Sequence, residues 1–451
     1  MPDQSLPYVV LGGGLSGLAA AYELQLAGKD FLLIEKENTL GGKVQSRTLN
    51  GLQLELGANS AATHPALEQL IKELALEEDV VPASEMAKSR FLVRDQQIHR
   101  VWPSPAFLLK TRLLSRRGKW QLVREPWRPA KKLEQESVAD FFRRRLGEEA
   151  YQYLVNPVLG GIYAGDPEKM SMAAIWPQIQ AWEQEYGSLF KALRARQGKQ
   201  PARQIWNFKE GMQHLPNMLA EQFADRIRAG QKLKAIKLLD GEYELLLEGE
   251  SGEDALRATR LIWALPAHQG HLLGELSEDL VESLLAIPYV SMGMIHLAYP
   301  ESADLPNLDG FGFLIPEQES KLLLGAISNS SVFPTLAPSG QGLYTLFVGG
   351  SRTPFADAAT FEARAEDAID LFTSLMGIQQ RPSFQHQYFW PKAIPQYGLN
   401  HLALVAQIEA MESDILCFVG NYLNGVSVGD CVGNARKKIS QWIDYERSTK
   451  W

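Results

Sequence analysis

The 451-residue chain is 45% hydrophobic and 22% charged, a globular composition with ample material for a core, and its length predicts two or more lobes. The formal net charge of −8 argues against nucleic acid as the main partner. The two cysteines, Cys417 and Cys431, have neither a metal-like CxxC spacing nor the number for a disulfide framework, so the reducing cytoplasm is the expected compartment.

The start, MPDQSLPYVV, lacks the basic opening of a signal peptide, and no apolar run approaches the roughly 18 residues that cross a bilayer. Residues 8–11 (YVVL) read as a buried parallel strand. GGGLSG follows, with Gly12, Gly14 and Gly17 in G-x-G-x-x-G spacing, then a helix up to Gly28 and a second strand, FLLIE, ending at Glu35. In such a unit the first glycine permits a tight turn, the second lets a pyrophosphate approach the backbone, and the third allows close helix packing. The helix N-terminus offers free amides to the phosphates, and an acid about twenty residues on binds ribose hydroxyls. The ordered set predicts dinucleotide binding, where a lone glycine motif would not.

Further along, residues 65–79 read as helix and residues 90–101 as a hairpin. Residues 103–200 are mostly helical in pattern. Residues 232–248 and 255–265 read as strands, 287–350 as strand-like runs between Gly/Pro turns, and 360–377 as an amphipathic helix. The end, from residue 414, reads as strand, glycine loop with Gly420, Gly425 and Gly429, and helix. That helix would aim its positive end at a ligand. No Ser-His-Asp set or HExxH metal site is visible; His268 and His271 share a helical spacing without further ligands and read as ordinary surface or loop residues.

Just past Glu35, Gly41-Gly42-Lys43 adds bare backbone and a cation. This arrangement resembles the GG-motif flavoproteins, in which the second glycine pair contacts FAD and a basic residue, usually Arg, follows. Lys43 is a point charge rather than a planar fork. Within that superfamily the chain resembles the protoporphyrinogen/coproporphyrinogen oxidase family along nearly its whole length. The segments carrying the resemblance include NPVLGGIYAGDPEKMSM (156–172), FKEGMQHLP (208–216), IWALPAH (262–268), DGFGFLIP (309–316), FVGGSRTP (347–354) and NGVSVGDC (424–431).

The resemblance implies an α/β, GG-motif FAD-binding Rossmann-like fold with a sheet-based substrate domain and a helical lobe. Its FAD-binding parts would be 1–85, 205–279 (βαβ-like) and 386–451, with a helical substrate or membrane lobe at 86–204 and a substrate sheet at 280–385. It implies non-covalent FAD against Gly12, Gly13, Gly14, Leu15, Ser16, Gly17, Glu35, Lys36, Gly42, Lys43, Gly57, Ala58, Asn59, Ser60, Ala235, Trp390, Gly420, Val426, Ser427 and Val428. It places substrate against Asn59, Arg90, Gly161, Leu314, Ile327, Phe347 and Ile394. Asn59 would face the substrate beside the flavin, Arg90 would grip a propionate, and the apolar residues would sandwich the macrocycle. A broad apolar ring with acidic side chains requires such a set.

The implied reaction takes six electrons from protoporphyrinogen IX in three rounds, each passing a hydride to flavin N5 with loss of an N–H proton, and oxygen reoxidises the flavin to give peroxide. No strong side-chain base is required. The same fold would serve coproporphyrinogen III, with four propionates rather than two. An amine oxidase, or a flavin-binding protein without turnover, would share the cofactor residues. Oligomeric state, a homodimer included, is left open. The basic run at 110–132, with Glu125 its sole acid and Trp120 and Trp127 interleaved, reads either as a surface for anionic membrane or as a solvated helical face.

Overall fold

The computed structural model describes residues 6–101, 110–131, 133, 135–196, 204–250, 252–300, 305, 308 and 310–449. Parts of the 103–200 stretch read as helical, together with Lys132 and Asp309, lie outside them. Two large sheets organise the chain. In the first, β1 (Leu6–Leu11) lies parallel between β2 (Phe31–Ile34) and β13 (Gly252–Trp263), with Val10 opposite both Leu33 and Ile262. β10 (Ile227–Arg228) extends the sheet beyond β2, and β19 (Leu416–Phe418) joins the far side of β13. Where they pair in parallel at the centre, residues 9–11, 33–34, 261–263 and 416–418, these strands are apolar and buried, as parallel strands between helices must be. Helix α1 (Leu15–Leu26) packs on one face with the C-terminal helix, Val428–Thr449.

The middle part read as βαβ-like is an antiparallel meander. β11 (Lys232–Leu239) turns directly into β12 (Glu242–Gly249), which pairs with the first half of β13. The turn is Asp240-Gly241, with φ of 52° and 82°; two positive φ values suit the primed turn whose twist matches a hairpin. The second half of β13 then enters the cofactor sheet, so one twelve-residue strand belongs to both.

The second sheet has the order β18-β14-β17-β16-β15-β7-β8. Its strands are β7 (Arg90–Arg94), β8 (Gln97–Val101), β14 (Tyr289–Tyr299), β15 (Gly312–Leu314), β16 (Leu323–Ser328), β17 (Gly342–Gly349) and β18 (Phe384–Pro395). The hairpin at 90–101 thus belongs to this sheet rather than to the helical lobe, and the boundary drawn at 385/386 falls inside β18. One face packs on the helix Ala365–Met376 through Ile295, Phe313, Leu346 and Phe372. The other face meets the cofactor unit. Two small sheets stitch the units together: the hairpin β3 (Ser46–Leu49)–β4 (Leu52–Glu55), and β5 (Ala61–Ala62) and β6 (Val80–Pro82) on either side of β9 (Ile205–Phe208).

The helical lobe has its own core around Phe141, Phe142, Tyr151, Leu159 and Ile175. It also encloses a charge network. Arg145, wholly buried on helix Val138–Leu146, donates to Glu125 and, at 3.2 Å, to Glu183; Arg144 donates to Glu136 at 2.8 Å and to Glu183 at 2.5 Å. The only acid of the basic run, Glu125, is therefore turned inward. Among the described residues no helix is long and apolar enough to cross a membrane.

Candidate cofactor and substrate site

The two glycine motifs meet. Gly41 donates its amide to Gly13 O at 2.8 Å, and a Cβ on Gly42 would stand 3.0 Å from Gly14 Cα. A Cβ on Gly17 would lie 1.9 Å from Gly12 O, and one on Gly57 would lie 1.8 Å from Lys43 O. The second pair thus lets its loop lie backbone on backbone against the first, which side chains would hold apart. Glu35 accepts from Gly13 N at 2.6 Å and Glu37 N at 2.9 Å, so its carboxylate is fixed at the end of β2. Helix α1 starts at Leu15 with no side-chain cap and no acid in its first turn, leaving its positive end to an anion.

These loops open on a cavity of 2370 Å³ that runs to the second sheet and the helical lobe. Single small-ligand sites run to about 1,000 Å³, so this volume accommodates a dinucleotide and a second large molecule. All the expected substrate residues line it: Asn59, Arg90, Gly161, Leu314, Ile327, Phe347 and Ile394. So do Gly12, Gly14, Leu15, Ser16, Glu35, Lys36, Gly42, Lys43, Gly57, Ala58, Ser60, Trp390, Gly420, Val426 and Val428.

Four expected cofactor residues stand off the wall. Gly13 faces Glu35, and Gly17 packs on Gly12. Ala235 is displaced by a register irregularity between Leu233 and Ala235, and Gln231, Lys232 and Leu233 line the cavity instead. Ser427 turns back to cap the C-terminal helix: its Oγ accepts from Asp430 N at 3.1 Å and donates to Asp430 Oδ2 at 2.6 Å. The positive end of that helix, expected to aim at a ligand, therefore already has an acid of its own beside it.

Sheet register explains the apolar wall. Leu314 lies opposite Gly325, Gly325 opposite Phe347, Phe347 opposite Met294, and Met294 opposite Tyr388. Residues paired across strands share a face, and every member of this row lines the cavity. Gly161, on the facing helix Asn156–Tyr163, lies against Leu314: a Cβ there would come within 2.6 Å of Leu314 Cδ2 and displace that side chain. Trp390 sits one row away beside Met292 and donates its indole N–H to Leu56 O at 2.6 Å, tying the sheet to the segment that carries Asn59.

Cations are unevenly placed. Lys43 holds its ammonium 4.2 Å over the Trp390 ring; burial, then Lys36, lowers its pKa to about 8. His268 and His271 line the cavity, His268 half-buried and His271 exposed, as a surface position is expected to be. The His268 ring packs edge-on against Tyr289 at 4.8 Å; burial, then Lys43, lowers its pKa to about 4, so it is neutral at neutral pH. Arg90 stacks 4.3 Å from the Phe311 ring and donates to Ala87 O; it has no carboxylate partner among the described residues. Arg194, on the helix Leu189–Arg196, is a further lining cation that sequence reading missed.

Also missed was the buried Glu55, whose carboxyl accepts from Ser46 Oγ at 2.6 Å, Asn207 Nδ2 at 3.0 Å and Met212 N at 3.1 Å. Burial outweighs these donors and pushes its pKa up to about 7. Its one legible signal was its place two residues before Gly57.

The model of the flavin containing amine oxidoreductase family matches residues 15–438. The chain is 30% identical to protoporphyrinogen oxidase 2, chloroplastic/mitochondrial, of Arabidopsis thaliana over 97% of this chain and 94% of that one. It is also 30% identical to protoporphyrinogen oxidase of Homo sapiens, over 95% and 96% of the two chains. A solved protein from Exiguobacterium sp. 255-15 superposes with a TM-score of 0.82 at 24% identity, covering 98% of this chain and all of that one. Reduced UDP-galactopyranose mutase does so at 0.76 with 16% identity, over 98% and 96%. The fold is thus shared with an enzyme of a different name, and fold alone does not choose a substrate.

Proposed function

The chain belongs to the protoporphyrinogen oxidases within the flavin-containing amine oxidoreductase family, and from that premise we propose that its cavity takes protoporphyrinogen IX beside FAD, with oxygen as the final acceptor. The observation that carries the reading is the row Leu314–Gly325–Phe347–Met294 facing Gly161, one apolar wall with Arg90, which has no acid partner among the described residues, at its side.

The protein is an FAD-dependent oxidoreductase. The paired glycine loops, the α1 N-terminus and Glu35 fit the dinucleotide's phosphates and ribose, and the lining valines Val426 and Val428 fit its apolar ring. FAD, when bound, supplies two-electron acceptance. This chain's residues do the rest by holding: Leu314, Phe347, Ile327 and Ile394 seat the ring and exclude water, Asn59 bounds it on the cofactor side, and Arg90 offers a carboxylate a partner. No lining side chain need act as a strong base, because the pyrrole nitrogen of an oxidised ring sheds its own proton. Neutral His268 would leave the pocket's charge unaltered.

The test uses FAD-loaded protein in air, following porphyrin fluorescence with protoporphyrinogen IX and coproporphyrinogen III in parallel, corrected for autoxidation. The reading expects preference for the first, three peroxides per porphyrin formed, and a rise of about tenfold or more in KM for Arg90→Ala, as for one lost charge-assisted contact. Preference for the second would move the chain to the four-propionate substrate; acceleration of neither would make the substrate wrong while leaving the cofactor.

We also propose that the helical lobe docks peripherally on anionic bilayers from a cytoplasmic location. Lys110, Arg112, Arg116, Arg117, Arg124 and Lys131 are all exposed, the run's one acid is buried, and Trp120 and Trp127 are 58% and 78% exposed among them. Basic residues near an anionic surface are worth about 1 kcal/mol each. Flotation with anionic but not neutral liposomes at low salt is expected; protein left in the pellet with both sinks the idea.

A further inference from the structure

Behind Asn59 runs a chain of buried polar side chains that never touches the cavity. We propose that it sets which end of the Asn59 carboxamide the ligand meets, making His296, Thr345 and Asn329 positioning residues. The inference rests on the reading above insofar as Asn59 faces the substrate.

Register builds the chain. His296 on β14 pairs with Thr345 on β17, and both are wholly buried. Asn329 begins the short helix that follows β16. Thr345 Oγ1 donates to Asn329 Oδ1 at 2.7 Å. A hydroxyl has one proton to give, so at 3.0 Å it accepts from His296 Nδ1, and the imidazole tautomer is fixed with hydrogen on Nδ1. His296 Nε2 is buried without a partner among the described residues, which suits a bare lone pair and not an N–H; burial, then His386, keeps the ring uncharged.

The direction passes down the chain. With its oxygen taken by Thr345, Asn329 presents its NH2, which donates to Asn59 Oδ1 at 3.1 Å. Asn59 Nδ2 gives one hydrogen to Gly57 O at 3.1 Å, and the Asn59 main-chain carbonyl is held by Asn207 Nδ2 at 3.1 Å. A flip of the Asn59 amide would set NH2 against NH2 and break both side-chain bonds. The group left for the cavity is therefore the second Nδ2 hydrogen, a donor. Each two-electron round would take a hydride from a ring carbon, with FAD, when bound, as its acceptor, and would release one proton; the porphyrin keeps two N–H groups, so one of the three protons comes from the last bridging carbon and each of the other two from a pyrrole nitrogen. A fixed donor favours that nitrogen as it turns from N–H to acceptor, so it is complementary to the departing state rather than to the substrate.

The test is a double-mutant cycle on the FAD-loaded enzyme. Thr345→Val keeps shape and removes the hydroxyl. Its kcat is expected to fall on the order of tenfold with KM within about twofold, and Thr345→Ser should recover most of the loss. In an Asn59→Ala background Thr345→Val should cost nothing further, because the group it acts through is gone. The flavin's visible absorption band gives a readout that needs no substrate: it should move with Thr345→Val, stay with Thr345→Ser, and not respond to either in Asn59→Ala. Equal loss in both backgrounds, or no loss from Thr345→Val, overturns the positioning role. A coupled band shift without porphyrinogen turnover upholds it and removes only the substrate assignment. Asn329→Ala supplies the same cycle should Thr345→Val fail to fold.

Discussion

Replacing Arg145 by Met should loosen the helical lobe without emptying the cofactor site. The guanidinium is wholly buried and holds five acceptors besides its closest contact to Glu125 Oε1: Glu183 Oε1 at 3.2 Å, Arg128 O at 3.0 Å, Pro129 O at 3.5 Å, Glu125 O at 3.2 Å and Gly187 O at 3.2 Å. Met fills much of the volume but satisfies none of them. Glu183 keeps Arg144, yet Glu125 is left a buried anion whose remaining donors are Ser188 Oγ, Leu189 N and Phe190 N. Breaking one side of such a pair costs roughly 3–5 kcal/mol, or about two to three and a half powers of ten in the population of the opened lobe. That lobe supplies Leu154, Gly161, Phe190 and Arg194 to the cavity wall, whereas the glycine loops lie elsewhere. Limited proteolysis should therefore cut Arg145→Met within 110–196 far faster than wild type, and turnover should fall, while FAD stays near one per chain. Adding Glu125→Gln should return at least half of the lost protection, since the stranded charge is gone. Loss of FAD with an uncut lobe, or a double variant worse than the single, would refute the reasoning.

Three further outcomes follow from the same geometry. Glu55, held near pH 7 against about 4.5 in an unfolded chain, binds more proton when folded, so its contribution to stability is present at low pH and is lost as pH rises through that window; the swing is on the order of 3 kcal/mol. Denaturation midpoints of Glu55→Gln from pH 5 to 8 should be flatter than wild type, and an unchanged slope would place the titration elsewhere. Gly57→Ala drives a methyl within 1.8 Å of Lys43 O, so the purified variant should lose bound FAD, read directly from its absorbance. Leu314→Ala should raise KM for the porphyrinogen several-fold while FAD content is unaltered, because that side chain meets Gly161 rather than the glycine loops.

What could be read beforehand follows from how local each signal is. The strand–glycine–helix–strand unit is contiguous, and so is the second glycine pair, so both were legible together with the ligand they imply. Leu314, Ile327 and Phe347 came from resemblance: as residues they are ordinary strand positions, and only the register shows them in rows on one face. Asn329, Thr345 and His296 were invisible, being neighbours made by strand pairing and not by spacing. The meander was misread because Asp240-Gly241 was passed over as a hairpin turn. Ala235 was displaced by one irregularity in β11, a local event that no periodicity announces. Glu125 broke the basic run in sequence, and only its burial against Arg145 shows that the run's exposed charges, among the described residues, are all cationic.

The strand β13 also sets an order of assembly. Its second half supplies the neighbour that β1 needs, and its own far side waits for β19, while the helix that follows β19 packs on α1. The first glycine loop is thus made early in synthesis and remains an unfinished edge until nearly the whole chain has emerged. Pairings of such long sequence separation form slowly, and an exposed parallel strand invites misassembly meanwhile. A ligand that bridges Gly12 and Val428 would bind only the finished article, drawing the last strand into place by mass action, so cofactor supply during synthesis should govern how much of this protein a cell accumulates.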